Sequence, residues 1–247
     1  MENTNPAGRL HEILKAAKIY VANAQNMPAA KLWAAVFGIG EENGFEFRVI
    51  DRLLQLNKLI AETEEALHAV DGITEKYFRP FDRIRTIPQR SLIALSSDIR
   101  SEILAINDGH MTVLEFCSEK LESQHAEPVI NGDDLKAVIE EVNLLFDEVR
   151  ALETLDEDLQ SFILDGLESI RRGVYEFRIR GPKRLKETIA EIIGSVAVNH
   201  EIVKAAGTEP HLQKFRSAFN HLAAVVAFAS DSVNSLTAFT GPLMPGG

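Results

Sequence analysis

The chain has 247 residues, of which 45% are hydrophobic, 26% charged and 7% aromatic, and it carries a net charge of −11. This composition excludes a collagen, a low-complexity linker and a disulfide-stapled miniprotein. The acidic balance also excludes nucleic-acid binding by the surface as a whole, because phosphates would be repelled, though local basic patches are still allowed.

Cys117 is the single cysteine and has no intramolecular disulfide partner. The opening residues hold no apolar signal run. No stretch reaches the roughly 20 apolar residues that a spanning helix needs. The longest, Leu222 to Ala229, closes at Ser230 and Asp231. The expectation is a cytoplasmic protein with no membrane contact.

In chain order, apolar residues recur at alternating spacings of three and four, the signature of helices. A helix is expected over Arg9 to Gln25, after Asn5-Pro6, and another over Ala29 to Phe37, around Trp33. Val49, Leu53, Leu56, Ile60, Leu67 and Val70 form a stripe, with Thr63 at its remaining position. Pro80 to Pro88 reads as a break, followed by helices over Gln89 to Ile106 and Met111 to Ser123. Glu127 to Gly132 is a second break. Beyond it lie the stripes Leu135 to Leu152, Ile163 to Phe177, Leu185 to Val203 and Leu212 to Leu236. Gly181-Pro182 and Gly207 to Pro210 separate the last three. Asn199, on an apolar stripe, reads as a register device or an amide bonded to a neighbouring helix.

These elements predict an all-α fold, a multi-helix bundle of about eight helices with heptad-like core stripes and shallow crossing angles. The expected division is 1–126 as an N-terminal helical half, 133–240 as a C-terminal bundle half and 241–247 as a flexible tail. One continuous domain is the alternative.

Charge is segregated along the chain. Glu140 to Glu168 holds ten acids and one base, whereas Arg171 to Lys186 holds seven bases and one acid. Cations suit the last turns of a helix, which explains Arg178 and Arg180 without a ligand. Lys183, Arg184 and Lys186 instead open the next helix, where a cluster of cations fits an anion. Arg178, Arg180, Lys183, Arg184 and Lys186 are therefore the candidate anion- or partner-binding residues. Alternatively these bases pair with the acidic stretch folded back antiparallel. A second patch, Lys76 to Arg90, interleaves bases with Tyr77, Phe78 and Phe81, which stack on nucleic-acid bases or anchor a loop in the core.

Two Glu-x-x-His pairs, Glu65 with His68 and Glu122 with His125, match a spacing used by di-iron bundles. Glu65 and His68 fall on the outer face of their stripe, so neither a metal nor a cofactor is expected. Nucleotide-binding glycine loops and the nucleophile elbow are missing from the sequence. Cys117 sits on the stripe of Leu114 and Leu121 and reads as a small buried hydrophobe.

Arg216-Ser-Ala-Phe-Asn-His221 resembles the Arg-x4–6-His motif of HEPN ribonucleases, which are also all-helical. That resemblance implies RNA cleavage at a dimer interface, with Arg216 and His221 as catalytic residues. The polar residue that usually follows the arginine in that family, often Asn, is Ser217 here. In a regular helix the two side chains also point about 140° apart, so they converge only through a bend or a dimer. Residues 170 to 181, Ile-Arg-Arg-Gly-Val-Tyr-Glu-Phe-Arg-Ile-Arg-Gly, are similar to a group of bacterial all-helical proteins without assigned activity. This likeness implies a bacterial cytosolic protein in an accessory or defence system.

The function expected from these features is a non-enzymatic interaction or regulatory protein acting through protein–protein contacts. Its partners would be another protein or its own copies, self-associating along Leu212 to Leu236. The alternatives are a HEPN-like ribonuclease and a sensor of nucleic acid or a phosphorylated ligand using the basic 171–186 segment.

Overall fold

The computed structural model describes residues 5–23, 26–124 and 127–229. Among them the chain forms eleven α-helices and one 3-10 turn, Glu75–Tyr77. The helices are α1 (Pro6–Asn23), α2 (Ala29–Phe37), α3 (Phe45–His68), α4 (Arg79–Ile93), α5 (Arg100–Leu104), α6 (Asp108–Gln124), α7 (Gly132–Arg150), α8 (Glu157–Arg180), α9 (Pro182–Val198), α10 (His200–Ala206) and α11 (Pro210–Ala229). Among the described residues they group into two compact units, one up to Glu127 together with Ile179–Gly181, the other of Pro128–Arg178 together with Pro182 to Ala229. The expected flexible tail, 241–247, lies outside the described residues, as do Val233 and Leu236 of the last stripe.

In the first unit α1 packs on α2, α3, α5 and α6, and α3 packs on α4. Asn5 fixes the start of α1. Its Oδ1 accepts from Gly8 N at 3.0 Å, while its Nδ2 donates to Ser118 O and Oγ at 3.1 Å. The side chain is buried, and donors and acceptor alike are satisfied. Helix α2 lacks a side-chain cap. Its first N–H groups are met by a neighbouring loop instead, with Ala29 N donating to Ser97 O and Ala30 N to Leu95 O, both at 2.9 Å. Gly38, at φ 68°, closes α2 in the left-handed region and donates back to Ala34 and Ala35. Trp33 is fully buried and its Nε1 donates to Ser91 Oγ at 2.9 Å.

The stretch expected as a break, Pro80 to Pro88, lies wholly within helix α4. Pro80 occupies the first turn, where its missing N–H costs nothing. Pro88 lies inside the helix and gives up one backbone bond. The hydroxyls of Thr86 and Ser91 donate to Arg83 O and Ile87 O on either side, each at 2.7 Å. Pro88 is buried with Phe81, Ile84 and Ile87, and that burial offsets the lost bond. The expected single helix over Gln89 to Ile106 is thus two elements, the end of α4 and the short α5, one reason for the count above eight.

In the second unit α7, α8, α9 and α11 share one core of Val138, Val142, Ile163, Leu167, Ile170, Leu185, Leu212 and Leu222. Asn131 Oδ1 caps α7 by accepting from Asp133 N at 3.0 Å, and Asp156 Oδ1 caps α8 by accepting from Leu159 N at 3.0 Å. Two glycines set how closely α8 approaches its neighbours. A Cβ on Gly166 would strike the Phe215 ring of α11, and one on Gly173 would strike Thr188 of α9. Asn199 is not a core amide bonded across helices. It divides α9 from α10, and its Nδ2 donates to Ser195 O of its own preceding turn at 2.9 Å. A short amide competing for backbone acceptors ends helices in this way.

Candidate functional site

The acidic helix α7 and the helix α11 pack directly against each other. Lys214 Nζ donates to both oxygens of Glu148, at 2.6 and 2.8 Å. His211 Nε2 lies 3.4 Å from Glu148 Oε1, and His221 Nδ1 lies 3.0 Å from Glu141 Oε2. Lys214, His211 and His221 of α11 thus answer Glu148 and Glu141 of α7. Lys214 holds the Glu148 carboxyl below the usual carboxylate range, with His211 adding to the effect.

The catalytic candidates Arg216 and His221 both lie on α11, which is unbroken across them. Both side chains are half-buried. At five residues' separation they point about 140° apart around the helix. The imidazole of His221 faces Glu141, a partner that the six-residue motif gave no hint of. Spacing along one helix cannot show a residue on another.

The candidate anion-binding residues separate by environment. Arg178, Lys183 and Lys186 are exposed, Arg180 is half-buried and Arg184 is buried. Arg180 falls in the 179–181 segment of the first unit, while the other four belong to the second. Arg184 requires a correction. Its Nε donates to Glu176 Oε2 at 2.6 Å and its Nη1 to Glu191 Oε1 at 2.8 Å, with Glu187 3.9 Å away. Burial opposes the charge, yet the hydrogen bonds to Glu191 and Glu176 outweigh it and hold the guanidinium above its ordinary value. Its carboxylates come from its own neighbourhood in sequence, not from the acidic stretch 140–168. Arg171, by contrast, pairs with the last acid of that stretch, Glu168 on its own helix, at 3.2 Å, and its guanidinium lies over the Phe146 ring.

The second basic patch is anchored in the first unit's core. Phe81 is fully buried, and Tyr77 stacks on Phe116 at 5.2 Å. Arg85 pairs with Glu64, and Arg90 Nη1 donates to Glu102 at 2.7 Å. Glu65 and His68 are exposed, with His68 stacked on Phe78 at 4.2 Å. His125 lies outside the described residues. Among those described, no three His, Cys, Asp or Glu side chains gather as a metal site. No described helix is long and apolar enough to cross a membrane.

The described part of the α11 stripe, expected as a self-association surface, faces the interior. Leu212, Phe215, Leu222 and Val226 are buried in their own unit's core. Exposed apolar side chains occur elsewhere in the second unit, namely Val129 (68% exposed), Leu144 (75%), Tyr175 (51%) and Val198 (82%). Residues three and four apart are neighbours on a helix surface. Leu144 is therefore surrounded by Glu140, Glu141, Asp147 and Glu148, and Tyr175 by Arg171, Arg172 and Arg178. Sequence periodicity missed both because each lies off the core stripe. In comparisons with known proteins, no family profile, curated protein or solved structure matches the chain.

Proposed function

We propose that this protein works without catalysis, by binding another protein through the acidic face of α7. The observation that carries this reading is Leu144, 75% exposed at the centre of four carboxylates. Two of the four are already held in place, Glu148 by Lys214 and Glu141 by His221. An ordered rim loses little side-chain freedom on binding. An apolar centre inside a charged rim is the anatomy of a binding hot spot. The matching partner presents an apolar pocket edged with lysine or arginine. Cross-linking in cells with mass-spectrometric identification finds that partner, and binding assays of purified proteins then test the site. Leu144→Ser weakens the identified complex by about tenfold or more, as truncating a hot spot does, with the melting temperature unchanged. Full binding by both Leu144→Ser and Glu140→Lys would sink the reading.

A second reading, a ribonuclease similar to the HEPN family, is favoured by one contact. The His221 ring faces Glu141 at 3.0 Å, and a carboxylate that orients an imidazole is the arrangement of a general base. It predicts metal-independent RNA cleavage that His221→Ala and Arg216→Ala each abolish. Cleavage that survives His221→Ala excludes it.

A further inference from the structure

The residues on the outward side of α8 are exposed at Asp158, Ser161, Asp165, Glu168, Arg172 and Tyr175, with Arg178 beside the last. From Asp158 to Tyr175 their spacings alternate between three and four, a heptad stripe opposite the core stripe of Ile163, Leu167 and Ile170. The stripe is polarised. Its first half carries Asp158, Asp165 and Glu168, and its second half carries Arg172 and Arg178 around Tyr175. A face with this order is complementary to itself when turned end over end.

We infer that this face of α8 recognises the same face of a second copy, the two helices running antiparallel about a two-fold axis near position 170. The inference rests on the reading that the protein acts through protein contacts, though it uses a different face. With the axis there, Glu168 lies opposite Arg172 of the second copy and Arg172 opposite its Glu168. Asp165 lies opposite Tyr175, whose hydroxyl donates to the carboxylate. Each contact occurs twice, as a two-fold interface requires. A parallel pairing would set acid against acid and base against base, so the charge pattern selects orientation as well as partner. The 3.5-residue spacing keeps the two stripes together along the helices. Arg171 already holds Glu168 at 3.2 Å, which pre-orders one carboxylate at the centre of the interface.

The test is sedimentation of the full chain over a range of concentrations at low and at high salt. Expected is a dimer that weakens as salt rises, because exposed charges are screened. Glu168→Lys and Arg172→Glu each raise the dissociation constant by at least about tenfold, the scale of placing like charges across an interface. The two variants mixed in equal amounts pair with each other, and the doubly swapped chain pairs with itself. These positions are exposed, so far-UV circular dichroism should show all variants folded. A parent chain that stays monomeric overturns the inference, and so does a dimer that both single reversals leave intact. Neither result touches the Leu144 site, whose own test is loss of partner binding in Leu144→Ser.

Discussion

Arg184 Nε donates to Glu176 Oε2 at 2.6 Å, and both side chains are buried in the second unit. A buried pair of this kind contributes little net stability over well-packed apolar residues, but removing Glu176 leaves the buried Arg184 Nε without its acceptor, while Nη1 keeps Glu191. Glu176→Ala is therefore expected to destabilise the second unit by about 2 kcal/mol, the cost of one orphaned charged donor. Glu176→Leu combined with Arg184→Met should recover most of that loss. Denaturant titration of the two variants checks both statements, and a Glu176→Ala chain as stable as the parent would show that the pair is not held inside.

Gly173 lies where α8 meets Thr188 of α9, with no room for a Cβ. Alanine usually favours a helix over glycine. Here the collision wins, and Gly173→Ala should cost about 1–3 kcal/mol, as overpacking does. Thr188 Oγ1 is buried without a hydrogen-bond partner among the described residues, so Thr188→Val should match or exceed the parent's stability. Thermal melts of the two variants decide, and opposite signs are expected.

Acid should loosen the packing of α7 on α11. The Glu148 carboxyl lies below its ordinary value of 4.5, held by Lys214 and then His211. Glu209 is also lowered. Burial opposes its charge, but His211 and the Leu212 N–H prevail. A lowered carboxylate stabilises the fold above its unfolded value and loses that effect as pH falls through its folded one. The melting temperature should fall below about pH 4.5, and more gently in the Glu148→Gln/Glu209→Gln variant. Parallel curves for parent and variant would show that these contacts do not drive the acid response.

Burial pushes the Cys117 thiol up to about 11, and the side chain is fully enclosed in the first unit's core. The thiolate is the reactive form. A thiol reagent at pH 8 should leave the native protein unlabelled over hours and label it fully in denaturant. Rapid native labelling would mean that the α6 face opens on that timescale.

Much of the helical order was legible in the spacing of apolar residues. Val49, Leu53, Leu56, Ile60 and Leu67 all line the first unit's core. Three departures share a cause, since each was decided by a contact that the spacing of apolar residues does not record. Pro88 stays helical because it is buried with Ile84 and Ile87. Asn199 keeps the stripe's spacing yet ends its helix, because its amide reaches back to Ser195. Arg184 looked like one more cation in a basic run. Its burial could have been suspected from Glu187 and Glu191, three and seven residues on along the same face. The His221–Glu141 contact left no sequence signal, since the residues are 80 positions apart on separate helices.

The only tryptophan, Trp33, is sealed in the first unit and hydrogen-bonded to Ser91. Its emission is therefore an optical reporter for one half of the molecule, while circular dichroism sums the helices of both. If the two signals change at different denaturant concentrations, the halves unfold as separate cooperative blocks, and each variant's effect can be assigned to its own block without isolating either.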